Sequence, residues 1–323
     1  MTLRYGSVCS GIEAATVAWK PLGWRAAWFA ETDRFCRSLL AHHYPDTPNF
    51  GDILEITEAD LERYDPIDVL VGGTPCQSFS VAGLRKGMAD PRGNLALRFV
   101  QLARATRARW VLWENVPGVL SSWSGDTPDS LDMRPGRGRE VVLEEKSDFD
   151  QFTAGLQECG YGFAYRVLDA QYFGVPQRRR RVFVVGHLGD WRRAAAVLFE
   201  RESLSGNDAP DRPRVSAEAW IHGIGRAAGC IDAMYGAKWG SNQWYAKGHV
   251  ICRNGRPSRL TPREVERCFG FPDDYTNIPY GRPKYPDQIC PDRPRYKALG
   301  NSMAVPVMRW IGERIEMVEA IET

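Results

Sequence analysis

Cys76 follows an apolar run, Ile67-Asp68-Val69-Leu70-Val71, and a break of Gly72-Gly73-Thr74-Pro75. The run reads as a buried strand and the break as a tight turn, so the thiol stands at the carboxyl end of a strand. In an open α/β sheet that edge is where ligands and reacting groups sit. A lone cysteine there is as readily a small buried residue as a nucleophile. Its company argues for the nucleophile. Glu114 ends another apolar run and is followed by Asn115-Val116. If the two strands are neighbours, the carboxyl group lies beside the thiol. That pairing suits neither a protease nor a redox site, which need a histidine or a second cysteine. It suits a pyrimidine. Thiolate attack at ring carbon C6 builds negative charge towards N3 and O2; a carboxyl group at N3 supplies the proton and a cation near O2 stabilises the rest. Gln177-Arg178-Arg179-Arg180-Arg181 offers the cation. Strand alternation sends Arg179 and Arg181 to one side and Arg178 and Arg180 to the other.

A second set of residues points to a nucleoside-like ligand along the same edge. Ser7-Val8-Cys9-Ser10-Gly11-Ile12-Glu13 is a small-residue turn that opens a helix, where a ligand can approach backbone N–H groups. It does not fit the dinucleotide pattern Gly-x-Gly-x-x-Gly. Glu31 ends the second strand and is placed to accept ribose hydroxyls. Gly51-Asp52-Ile53 is placed to receive an adenine amino group. Each is also readable as an ordinary strand-end turn.

The elements that must carry these residues alternate. Strands are expected at 5–9, 25–30, 67–71, 110–114, 163–168 and 181–186, with helices at 13–21, 34–43, 94–107 and 148–159, the last capped by Ser147. The alternation predicts an α/β fold with a doubly wound, mostly parallel sheet. Residues 121–146, rich in Ser, Gly, Pro and charge, read as an inserted loop. From Gly189 to Pro257 periodicity fades among glycines, tryptophans and basic residues, which predicts a second, irregular domain. Order returns at Thr261-Pro262-Arg263-Glu264, a helix start with cap, proline and capping-box glutamate. A final helix is expected over 304–321. The resulting division is 1–187, 188–297 and a returning segment 298–323.

Composition excludes several classes. The 323 residues are 43% hydrophobic and 25% charged, as in a soluble globular protein. No run approaches a membrane span and the start does not read as a secretory signal. The eight cysteines lie far apart with no Cys-x-x-Cys pair, against zinc and in favour of reduced thiols in a cytoplasm. Residues 178–297 hold 22 Lys and Arg against 13 Asp and Glu, net +9, while the remainder holds 20 against 27, net −7. A basic carboxyl half on an acidic body predicts that one face meets a polyanion.

These residues together resemble the DNA (cytosine-5)-methyltransferases of bacteria and phage. Pro75-Cys76-Gln77 resembles that family's nucleophile motif and Glu114-Asn115-Val116 its carboxylate motif. Gln177, Arg179 and Arg181 fit its Gln-x-Arg-x-Arg pattern. The segments from Arg259 to Pro272 and from Gly300 to Pro306 resemble its last two motifs, in family order. The opening departs from the family's Phe-x-Gly-x-Gly: Cys9 stands where Phe is common and Glu13 where the second Gly is. Ser78 stands where Pro is common.

The resemblance implies the S-adenosylmethionine-dependent methyltransferase fold, S-adenosylmethionine as methyl donor and double-stranded DNA as partner, in a monomer without metal. Cys76 would attack C6 of a cytosine swung out of the duplex, with Glu114, Arg179 and Arg181 assisting. Cofactor contacts would come from Cys9, Ser10, Gly11, Ile12, Glu13, Glu31, Thr32, Asp52, Ile53, Pro75, Leu95, Asn301 and Ser302. Residues 78–92, including Ser80, Arg85 and Lys86, would form a lid on DNA. Arg226, Lys238, Lys247, Arg253 and Arg256 would contact phosphates or guanine edges. Three other readings stay open: cytosine-5 methylation of RNA, an inactive DNA-binding homologue, and a thymidylate-synthase-like nucleotide enzyme.

Overall fold

The structure is a computed structural model that describes residues 2–64, 66–75, 95–121, 147–200, 228–235, 250–253, 256–280 and 290–321. Cys76, the expected lid with Ser80, Arg85 and Lys86, nearly all of the expected loop 121–146, and Arg226, Lys238 and Lys247 lie outside the described residues.

Six strands form one sheet in the order β2-β1-β3-β4-β6-β5. They are β1 (Arg4–Val8), β2 (Arg25–Ala30), β3 (Val69–Gly72), β4 (Trp110–Asn115), β5 (Tyr161–Asp169) and β6 (Arg180–Leu188). The pairs β1–β2, β1–β3 and β3–β4 are parallel, whereas β4–β6 and β5–β6 are antiparallel. β6 alone therefore runs against the other five, so the sheet is mixed. The cause is local: β5 reaches β6 through residues 170–179 with only a short 3-10 turn, too little chain for the crossover that parallel strands need.

Both faces of the sheet are covered, because its strands are apolar on both sides. On one face Tyr5, Val69, Val71, Trp110, Leu112, Phe183 and Val185 join a core built with α1 (Ala14–Trp19), α2 (Arg34–His43), α6 (Trp191–Leu198), α7 (Pro262–Phe269), α8 (Asp292–Asn301) and α9 (Val305–Glu319). On the other, Val8, Leu70, Val111, Trp113, Val182 and Val184 pack with α3 (Glu58–Tyr64), α4 (Leu95–Thr106) and α5 (Asp148–Glu158). The two-fold alternation along each strand is what divides these sets.

The helix starts follow their caps. Asp33 accepts from the N–H groups of Phe35 (2.9 Å) and Cys36 (3.2 Å) and starts α2. Ser147 and Asp150 form a capping box on α5, and Thr261 and Glu264 form another on α7 with Pro262 in its first turn. Gly270, at φ +80, ends α7 in the left-handed conformation that glycine adopts freely. One expectation fails after residue 188. The stretch from Gly189 opens with a regular helix, α6, capped by Asp190 and packed through Ala194, Val197 and Leu198 on β5, β6 and α9. Farther on, β7 (Val250–Arg253) and β8 (Arg256–Arg259) pair as an antiparallel hairpin.

Candidate active site

A cavity of about 1010 Å³ opens at the carboxyl edge of β1 to β4. Of the residues expected to hold a cofactor, Cys9, Gly11, Glu31, Thr32, Asp52, Ile53, Pro75, Leu95 and Asn301 line it. Glu31 leaves β2 and turns its carboxylate onto backbone: Oε2 accepts from Gly11 N at 2.7 Å, and Oε1 from Thr32 N at 2.8 Å and Asp33 N at 2.7 Å. A carboxylate offers about four acceptor positions, so one remains for a ligand hydroxyl. Asn49, which the sequence reading did not single out, ties this corner to the next. Its Oδ1 accepts from Glu31 N and Gly51 N, both at 3.0 Å. Asp52 then caps a short turn by accepting from Leu54 N at 2.9 Å. The turn 9–13 is tight, with positive φ at Cys9 (48°), Gly11 (57°) and Glu13 (58°). Acceptors at Glu31 and Asp52 along a cleft of this size fit a ligand carrying hydroxyl and amino groups.

Lys297 and Asp33 also line the cavity and pair at 2.7 Å across 264 residues of chain, joining α8 to the start of α2. Nothing local in the sequence signals that pair.

Ser10, Ile12, Glu13 and Ser302 do not line the large cavity. Ile12 is fully buried in the core. Ser10 donates to Ser7 O at 2.9 Å. Glu13 is buried behind the turn, where it caps α1.

The expected neighbourhood of the thiol is present up to Pro75. β3 and β4 are adjacent and parallel, with Gly72 level with Trp113. Trp113 Nε1 donates to Thr74 Oγ1 at 3.1 Å, and Asn115 Nδ2 donates to Thr74 O at 2.8 Å. These two bonds fix the chain two residues before Cys76. Glu114 lines the same cavity as Pro75 and is 8% exposed. Arg181 Nε lies 3.1 Å from Glu114 Oε1. The contact is an ion pair without hydrogen-bond alignment, and Oε1 has no hydrogen-bond partner. Burial raises the Glu114 pKa above the ordinary carboxylate value, against the opposing pull of Arg181 and Arg179. Gly73 permits this closeness: a Cβ there would stand 3.0 Å from Glu114 Oε2 and 3.3 Å from Met303 Cε.

Arg179 and Arg181 share one side and Arg178 and Arg180 are exposed, as alternation requires. The two inward arginines differ. Arg181 faces Glu114, whereas Arg179 is buried and spends its donors on main chain. It donates to Ile231 O (3.0 Å), Gly300 O (3.1 Å) and Ser302 O (2.7 Å), with its guanidinium 4.9 Å above the Phe269 ring. Burial, with Arg181 nearby, lowers its pKa to about 10. Arg253 and Arg256 stand opposite each other at the end of the β7–β8 hairpin.

The chain matches the family description "C-5 cytosine-specific DNA methylase" over residues 3–217 and 231–317. It belongs to that family. A phage P1 relative named "DNA N-6-adenine-methyltransferase" is 34% identical across 97% of this chain, which spans 61% of that protein's length. The type II methyltransferase M2.BsuMI of Bacillus subtilis is 28% identical over 97% of this chain and 75% of its own. Among solved structures, a DNMT2 mutant of Spodoptera frugiperda superposes with a TM-score of 0.66 at 19% identity, covering 98% of this chain and all of that one. Dnmt2 of S. pombe gives 0.65 at 17% identity, covering 98% and 99%. At such identities these two share the fold with this methylase-family chain, a mixed sheet flanked by helices. Among the described residues, no cluster suits a metal ion and no helix is long and apolar enough to cross a membrane.

Proposed function

We propose that this protein methylates C5 of cytosine in double-stranded DNA, using S-adenosylmethionine and a covalent bond from Cys76 to C6 of an extruded base. The observation that carries the reading is Glu114: a buried carboxyl group with one unbonded oxygen, beside Arg181, on the wall that Thr74 and Pro75 share. Burial shifts its pKa upward, towards the protonated form, against the pull of Arg181 and Arg179. A protonated carboxyl group donates to N3 of cytosine and accepts from the exocyclic amine. Thymine presents the reverse pattern at those two positions, so the same group selects cytosine.

In this mechanism the Cys76 Sγ–C6 bond forms as Glu114 gives its proton to N3, and Arg181 supports the charge that develops near O2. The resulting enamine makes C5 nucleophilic. S-adenosylmethionine, when bound, supplies the electrophilic methyl group that C5 takes. Loss of the C5 proton to water then expels Cys76 as the thiolate, and N3 returns its proton to Glu114, which restores the ring and the carboxyl group. Glu31, Asp52 and the 9–11 turn would hold the cofactor. Arg179 acts through position, by holding the carbonyl groups on either side of Asn301. Residues 188–297 after α6, with the basic side chains at 226, 238, 247, 253 and 256, would read the DNA, with residues 78–92 as the closing loop.

The phage P1 relative's name raises adenine N6 as a second target. Methyl transfer to an amine needs no covalent nucleophile, so the nucleophile motif and the raised carboxyl group favour cytosine. Nucleoside mass spectrometry on DNA from cells free of other cytosine methylation, expressing wild type or Cys76→Ala, decides. The reading expects 5-methylcytosine with the wild type alone. N6-methyladenine, or a modified cytosine found only in the RNA fraction, overturns it.

A further inference from the structure

Glu13 stands where the resemblance sets a glycine, and the reaction as described leaves it unused. It is 1% exposed. Its backbone is left-handed at φ +58, a strained place for a side chain and an easy one for glycine. Ser7 Oγ donates to its Oε1, while Thr16 N (3.2 Å) and Thr16 Oγ1 (2.6 Å) donate to Oε2. A second cavity of about 40 Å³ lies behind the turn, lined among others by Ser7, Glu13, Gly73, Glu114, Asn301 and Met303. That is room for a water or two beside polar partners. This cavity shares Cys9, Gly11, Gly73, Glu114 and Asn301 with the large one, so the two adjoin at the Glu114 end.

The groups around Glu13 are all acids, alcohols or phenols. Tyr5 faces it from β1, Thr16 from α1, Tyr44 from the end of α2, Glu31 from the end of β2 and Tyr275 from beyond α7. Glu114 of β4 faces the same small cavity. Among the described residues no cation contributes to its surroundings, and burial pushes its pKa to about 7 despite the bonds from Ser7 and Thr16. A carboxyl group kept this deep, at a strained backbone position and with only the α1 N-terminus and neutral donors against it among the described residues, would be favoured in its charged form by a cation that arrives with a ligand.

We propose that Glu13 is a buried counter-charge that makes the adjoining cavity prefer the cationic sulfonium of S-adenosylmethionine over the neutral thioether product. The inference rests on the function proposed above. A methyl donor must approach C5 of a base held at Glu114, so its sulfur belongs at the end that the two cavities share. Transfer of the methyl group removes the positive charge, the attraction lapses, and the product leaves more readily. Unit charges about 10 Å apart in a medium of effective dielectric about 20 attract enough to change a binding ratio roughly tenfold.

Isothermal titration calorimetry with the full chain at pH 6 and pH 8 tests this without turnover. The probes are S-adenosylmethionine and S-adenosylhomocysteine. In the wild type the affinity ratio of the first to the second should rise roughly tenfold as Glu13 ionises between the two pH values. In Glu13→Gln and Glu13→Gly the ratio should stay flat. Glycine takes φ +58 without strain, so that variant keeps the test open if the amide disturbs folding. Ser7→Ala removes a donor to the carboxylate and should move the midpoint to higher pH. A wild-type ratio indifferent to pH, or Glu13 variants that keep the wild-type rise, would overturn the inference, the second result transferring the effect to Glu114. If neither probe binds the folded wild type, the cofactor reading fails as well.

Discussion

Replacing Arg179 with methionine keeps most of the side-chain volume and removes every donor. In the native fold that side chain bonds the carbonyl oxygens of Ile231, Gly300 and Ser302 at 3.0, 3.1 and 2.7 Å, all buried. A hydrogen bond from a charged donor contributes about 1.5–3 kcal/mol, so three amount to roughly 5–9 kcal/mol. Two effects offset part of this. The guanidinium is already penalised by burial, as its lowered pKa records, and methionine restores apolar contact over Phe269. Breaking a buried charged arrangement costs about 3–5 kcal/mol by comparison with other proteins, and that is the expected loss. Against a total stability of about 5–15 kcal/mol the variant remains folded in the cold. Its urea midpoint should fall by at least about 1 M. The effect should also reach the cofactor. Gly300 packs so closely on the 228–235 segment that a Cβ would stand 2.2 Å from Asp232 C. Arg179 fastens the same junction, and Asn301 between its two anchor carbonyls lines the cavity. Calorimetric affinity for S-adenosylmethionine should therefore drop with stability. An unchanged urea midpoint together with lost turnover would refute the reasoning and make Arg179 a substrate-contacting residue.

Glu114→Gln presents the same donor and acceptor pattern to cytosine but cannot surrender a proton, so kcat should fall about 10²–10⁴-fold while KM for DNA changes little. The proposed mechanism needs the protonated form, so kcat should decline as pH rises past the raised Glu114 pKa. Gly73→Ala places a methyl group 3.0 Å from Glu114 Oε2 and should cut kcat by at least about tenfold with the thermal midpoint nearly kept. Glu13, whose folded pKa of about 7 lies above its unfolded value, contributes stability that is full below the unfolded pKa and lost as pH rises through about 7. Urea titrations should show a smaller decline in Glu13→Gly than in the wild type, the remainder coming from groups such as Glu114 whose pKa is also raised.

Much of the fold could be read locally. The α2 helix spans Arg34–His43 as expected because its cap and apolar spacing both lie within the segment. The α7 capping box was written in four consecutive residues. The α6 helix was missed although Asp190 is a good cap, because Trp191, Arg192 and Arg193 hold its first turn and only Ala194, Val197 and Leu198 reach the core. In the site, Glu31 and Glu114 were legible as carboxyl groups at strand ends, and Asp52 from its place in the turn Gly51-Asp52-Ile53. The distinct fates of Arg179 and Arg181 were not. Alternation gives both the same side, but the carbonyl groups that capture Arg179 come from Ile231, Gly300 and Ser302, far along the chain. The pairing of Lys297 with Asp33 is hidden for the same reason.

The reversed strand has a consequence for the chemistry. Ligands gather at the carboxyl edge of the parallel strands, and a parallel neighbour would bring its own first residues to the opposite edge. β6 runs the other way, so its first residues lie at the carboxyl edge of β4. The register sets Glu114 opposite Phe183 and therefore on the same face as Arg181, one diagonal step away. An arginine one residue from the start of such a strand meets a carboxylate one residue from the end of its neighbour, with no loop to order first. The same geometry explains why Gln177 and Arg179, just before β6, turn inward. Gln177 Nε2 reaches Cys268 O at 3.0 Å and its Oε1 accepts from Ile231 N at 3.3 Å. The alternating Gln, Arg and Arg thus run from an α7 anchor, through the α8–α9 junction, to the carboxyl group at the site. Each side chain fixes one layer, and the reversal of one strand aligns all three with the edge where the proposed reaction holds the base.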